Sequence, residues 1–155
     1  MTTETQIAAS ELLVEMLLKG NEVVAYSFGL SMSPLIPPRS KIRLKPVAFD
    51  ELSIGDIVFF RPPDMKGGGT LHRIIGINRG ERTLTTKGDR LPLPDTPIPG
   101  ERVFGLLVEI QTDRFSYRLD NPFAKLFNRL AALASSRSAP LFSAAKLVKQ
   151  LINRR

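Results

Sequence analysis

The period of the hydrophobic positions changes twice along this chain. Over residues 1–20 the rhythm is helical. Leu13, Val14, Leu17 and Leu18 cover one face, and Glu11, Glu15 and Lys19 recur every four residues on another. Gly20 stands where a helix needs a C′ residue, so the stretch predicts an N-terminal amphipathic helix. From Glu22 to Ile110 the period shortens. The runs "EVVAYS", "KIRLKPV", "DIVFF", "LHRIIGIN", "RTLTTK" and "RVFGLLVEI" are rich in Val, Ile, Phe and Thr and stand between Pro/Gly breaks. Ten of the twelve prolines lie between Pro34 and Pro99, which disfavours helices there. This texture predicts a mainly β domain over residues 21–113, a curled sheet or partial barrel. "PDMKGGGT" reads as a flexible loop and "LPLPDTPIPG" as a stiff extended one.

After Arg114 the helical spacing returns. Asp120 or Asn121 can cap, Pro122 suits a first turn, and Phe123, Leu126, Phe127 and Leu130 follow the i, i+3, i+4, i+7 rule. A second segment places Leu141, Ala145, Val148 and Ile152 inside and Lys146 and Lys149 outside. The expected plan is a mainly β core, one helix before it, and two amphipathic helices in a basic extension over residues 114–155.

Composition narrows the chemistry. A chain of 155 residues, 43% hydrophobic, suits one core. No run approaches the roughly 18–20 apolar residues of a membrane span. The start "MTTETQIAAS" has an acidic residue and no basic leader region, so the cytoplasm is the expected location. Without cysteine there is no disulfide, thiolate metal site or cysteine nucleophile. His72 is the only histidine, so no metal or other cofactor is expected. The net charge of +7 is uneven: residues 1–113 hold 13 basic against 14 acidic side chains, and residues 114–155 hold 9 against 1. A nearly neutral body with a basic appendage, 7% aromatic residues and no Trp does not read as a nucleic-acid binder. The appendage either docks on the core with its lysines solvated, or lays its Phe/Leu faces on a membrane or partner while Lys125, Arg129, Lys146 and Lys149 meet anionic groups.

Four stretches carry candidate chemistry: "GLSMSP" with Ser31, "LSIGDIVFF" with Gly55 and Asp56, "LHRII" with His72, and "TKGDRLPLPD" with Asp89 and Asp95. A serine hydroxyl becomes a nucleophile when a neighbouring base takes its proton. Imidazole suits that task near neutral pH, and a carboxylate on its second nitrogen fixes the tautomer. Taken singly, Ser31 is a turn serine, His72 a core histidine, and Asp89 and Asp95 turn formers. Gly55-Asp56 reads as a tight turn into "IVFF".

The ordered set resembles the signal peptidase I and LexA-type serine peptidases. "LHRII" looks like the histidine-base branch found in archaeal and endoplasmic-reticulum signal peptidases, and the six-residue spacing of Asp89 and Asp95 matches its two acids. The resemblance spans about Tyr26 to Ile110 and implies a curled β catalytic fold. It implies Ser31 as nucleophile, His72 as general base, Asp95 as the orienting acid and Asp89 as a supporting acid, without deciding which carboxylate touches His72. Gly29, where many signal peptidases carry a serine, implies an oxyanion hole resting on the Ser31 N–H. Arg39-Ser40 stands where the family often has Gly-Asp. No membrane anchor, DNA-binding helix-turn-helix or Ala-Gly self-cleavage site is visible. The implied function is a serine endopeptidase that processes a peptide or precursor protein through an acyl-enzyme. The alternatives are an inactive peptide- or membrane-binding module on the same fold and a self-cleaving regulator.

Overall fold

The run Ile57-Val58-Phe59-Phe60 is buried along its whole length, and the architecture is arranged around it. A continuous apolar strand must be covered on both faces. In the computed structural model, which describes residues 3–136, Ile57 and Phe59 join one hydrophobic cluster while Val58 and Phe60 join a second. Side chains alternate across a strand, so this one strand divides the core in two.

The element order is α1 (Thr3–Leu18), β1 (Val23–Tyr26), β2 (Lys41–Lys45), β3 (Ile57–Phe60), β4 (Thr70–Asn78), β5 (Thr83–Lys87), β6 (Ile98–Pro99), β7 (Val103–Gln111) and β8 (Ser116–Arg118), followed by a helix over residues 122–136, here α2. All strands pair antiparallel in one curled half-barrel sheet, ordered β1-β2-β7-β3-β4-β5-β6 with β8 on β7. The central pairs are set by Val58 opposite His72 and Val58 opposite Leu106. Each of the six expected runs forms a strand. β6 lies inside the stretch read as a stiff loop, and β8 inside the extension read as helical. The second C-terminal helix, over "SAPLFSAAKLVKQLINRR", falls outside the described residues, so one C-terminal helix is observed where two were expected.

Helix α1 ends as its sequence requires. Gly20 takes φ +86°, with Gly20 N–H donating to Leu17 O (3.0 Å) and Asn21 N–H to Met16 O (3.1 Å), the paired bonds of a Schellman cap. Val14 and Leu17 are buried in the first cluster, whereas Leu18 is exposed. The acidic face is not merely solvated: Glu11 accepts from Arg61 and from the Gly68 N–H, both at 2.6 Å, and fastens the glycine-rich loop to the helix. Among the described residues, no helix is long and apolar enough to cross a membrane.

Candidate active site

Ser31 sits in the turn after β1. Met32 and Ile36, both buried, anchor that turn in the first core cluster, and Ile36 N–H donates to Met32 O at 3.0 Å. The loop is closed below by Ser27 N–H to Ser40 O (2.9 Å) and Arg39 N–H to Ser27 O (2.6 Å). Arg39 adopts a left-handed φ of 66°, a conformation that ordinarily favours glycine. Ser27 and Ser40 hydroxyls both donate to Pro37 O, at 2.9 and 2.6 Å. Ser31 therefore rides on a turn held by core side chains and backbone bonds.

His72 and Arg73 are neighbours on β4, so their side chains leave opposite faces of the strand. Each takes its own acid. His72, buried with its ring 5.9 Å from Phe60, pairs Nδ1 with Asp95 Oδ2 at 2.6 Å. The same oxygen accepts from the Thr86 hydroxyl at 2.6 Å, and Asp95 N–H donates to Thr86 O at 2.8 Å. Asp95 is thus held by its backbone and its side chain at the end of β5. A carboxylate only accepts, so Nδ1 is the donor of this bond, and in the neutral form of the ring Nε2 is then the acceptor.

Arg73, 1% exposed, makes a bidentate pair with Asp89 (2.8 and 2.7 Å). Its remaining nitrogen donates to Gly55 O at 3.1 Å and to Asn128 Oδ1 at 2.8 Å. Every guanidinium nitrogen has an acceptor, as a buried cation requires. Asp89 does not contact His72. Its carboxylate is taken up by Arg73, so of the two acids Asp95 is the one paired with His72 and Asp89 the one paired with the arginine beside it.

Gly88 lies between the serine and the histidine. A Cβ there would stand 2.9 Å from Ser31 O and 3.0 Å from His72 Nε2, so the two residues flank a space that only glycine leaves open. Arg90 N–H donates to Ser31 O at 2.8 Å, strapping the acid-bearing loop onto the serine turn. Among the described residues, Ser31 Oγ makes no hydrogen bond to His72 and the Ser31 N–H donates to no acceptor. A Cβ on Gly29 would meet nothing nearer than Ser31 Oγ at 3.9 Å, which leaves the approach to the hydroxyl open.

A cleft of about 650 Å³ runs from Ser31 and Gly29 between α1 and β1, walled by Ile7, Leu13, Val24, Tyr26, Phe28 and Phe59. Among the described residues β1 pairs with β2 alone and stands at the edge of the sheet, its other side without a strand partner. A second cavity of about 740 Å³ lies beyond the 88–92 loop, against α2, with Arg73, Lys87, Asp89 and Arg90 among its walls. Neither Ser31 nor His72 reaches it, so the first cleft is the one that serves the serine. Lys87 donates to Ser135 O at 3.0 Å, and burial lowers its pKa while Asp89 opposes the shift. Among the described residues no three His, Asp or Glu side chains gather to hold a metal ion.

Two residues of this network escaped the sequence reading. Thr86 is one of a run of strand threonines, with nothing local to distinguish it. Asn128 had a signal: a polar residue four positions from Ala124 and from Ala132 on one face of a helix. Gly55 and Asp56 form the expected turn. Asp56 Oδ2 accepts the Ser53 N–H at 2.9 Å, and burial raises its pKa against the opposing pull of that bond and of Lys125 and Lys45. Comparison of the chain with family models, with curated proteins and with solved structures gives no match.

Proposed function

We propose that the chain is a serine endopeptidase of the signal peptidase and LexA type, with histidine as its base, that processes a peptide or precursor protein. The observation that carries this reading is the 2.6 Å pairing of His72 Nδ1 with Asp95, which leaves Nε2 as the ring's acceptor beside the turn bearing Ser31. Nucleophile–base bonds are often long in the resting enzyme and tighten when substrate is bound.

The chemistry follows from those positions. His72 Nε2 takes the proton of Ser31 as Oγ attacks the scissile carbonyl carbon. The oxyanion that forms meets the Ser31 N–H. Asp95 holds the ring in its tautomer and stabilises the imidazolium, which then gives its proton to the leaving amine as the C–N bond breaks. The acyl-enzyme is released by water, activated by the same nitrogen, and Ser31 recovers its proton. An extended peptide added to the free edge of β1 would lie in the first cleft, its main chain bonded to the strand and its side chains against the apolar walls. Gly29 keeps the scissile bond's approach unobstructed.

The missing bond between Ser31 Oγ and His72 favours one second reading, a module that binds extended peptides in this cleft without cutting them. A single experiment separates the two. The purified chain is incubated with a library of extended peptides, and products and retained peptides are read by mass spectrometry. The peptidase reading expects cleavage at a defined bond, absent in Ser31→Ala and reduced about 10⁴-fold in kcat in Asp95→Asn, whose amide supports the wrong tautomer. Retention of intact peptides by wild type and Ser31→Ala alike establishes the binding module. Equal products from both would sink the role of Ser31.

A further inference from the structure

Helix α2 packs against the body with the face that sequence periodicity would turn outward. Ala124, Asn128 and Ala132 are buried, and Asn128 reaches Arg73, while Phe123, Leu126, Leu130 and Leu133 are 85, 58, 57 and 51% exposed. Phe123, Leu126, Leu130 and Leu133 fall on one narrow arc of the helix, and the exposed Lys125 and Arg129 border that arc. The apolar stripe is thus continuous, convex and edged with cations on a helix fixed to the core by its opposite side.

We propose that this outward face of α2 is a docking surface for an anionic lipid bilayer. Charge selects the occupant. From Asn121 to the last residue the chain holds seven Lys and Arg and no Asp or Glu. A second copy laid on the stripe would bring like charges together. So would the chain's own residues 137–155, which carry five of the seven and no acid. An anionic surface removes that repulsion and accepts the apolar side chains at the same time, which is how helices of this composition lie in a membrane interface. Because Arg73 ties Asn128 to Asp89, the docking helix is continuous with the scaffold behind the candidate active site.

The test is co-sedimentation of the full chain with vesicles of phosphatidylcholine alone and of phosphatidylcholine mixed with phosphatidylglycerol. At least tenfold tighter binding to the anionic vesicles is expected, weakened by added salt. Phe123→Ser with Leu130→Ser, and separately Lys125→Glu with Arg129→Glu, should each reduce it at least tenfold, the apolar variant melting with the wild type and the charge variant keeping the wild-type circular dichroism spectrum. These positions are exposed, and the charge variant tests the face even where the apolar one loses solubility. Ser31→Ala should bind as the wild type does, so this surface stands or falls apart from the peptidase chemistry. Equal binding to both vesicles, binding that survives both double variants, or no binding to either overturns the proposal. A concentration-dependent dimer abolished by Phe123→Ser with Leu130→Ser also overturns it and assigns the stripe to a second copy.

Discussion

Gly88 shows how little room the candidate site leaves. The serine and the histidine stand 41 positions apart in the chain, and both lie against this one residue with no side chain. A methyl group at 88 would press on Ser31 O at 2.9 Å, closer than real Cβ atoms approach, and on His72 Nε2 at 3.0 Å, at the tight limit of such contacts. On the proposed peptidase reading, Gly88→Ala should therefore cut kcat/KM about 100-fold or more by holding Ser31 and His72 apart, since displacements of an ångström cost that much in oriented reactions. Steady-state kinetics on the cleaved peptide, beside a melt matching the wild type, would check this. The Asp95 carboxylate is a different case. It accepts from His72 and Thr86 at once, so Asp95→Asn leaves the shape and alters only which nitrogen carries the proton.

At the scale of elements, the seating of α2 depends on the turn at Gly55. That residue adopts φ +99°, and a Cβ on it would stand 2.7 Å from the Asn128 carbonyl carbon and the Arg129 nitrogen. Helix backbone, not a movable side chain, occupies the space. Gly55→Ala is expected to lower stability by about 2 kcal/mol or more, combining backbone strain with displacement of the helix. Asparagine tolerates left-handed backbone better than alanine does. If strain alone mattered, Gly55→Asn would recover much of the loss. The close approach predicts that it will not, and equilibrium urea unfolding of the two variants distinguishes the cases. The same approach explains why α2 buries alanines and an asparagine: larger side chains would lift the helix from the turn and take Asn128 out of reach of Arg73.

The whole molecule carries a pH dependence through Asp56. Burial raises its folded pKa above the ordinary carboxylate value. The protonated form is thus favoured in the fold, and the associated stability is present at low pH and withdrawn as pH rises through the folded pKa. Asp56→Asn has no such titration. Its melting temperature should therefore improve relative to the wild type as pH rises from about 4 toward neutrality. Thermal melts of both proteins across that range would falsify the assignment if the difference ran the other way.

Much of this arrangement is legible in the chain. Six apolar runs between Pro/Gly breaks became six strands, because alternation and β-branched residues act locally. Gly20 capped α1 for the same reason. The order of Ser31, His72 and two acids marked a candidate site before any geometry. Other features depended on partners distant in sequence. β6 has two residues, one of them a proline without a donor, and exists only because β5 offers an edge. Asp95, not Asp89, reached His72 because its backbone is bonded to Thr86 and because Arg73 claimed Asp89 on the other face. The helical period of α2 was correct, but its orientation was not local information. Burying Arg73 demanded an acceptor and Gly55 admitted only a thin helix face, so Asn128 and the alanines turned inward and the Phe/Leu stripe was left outside.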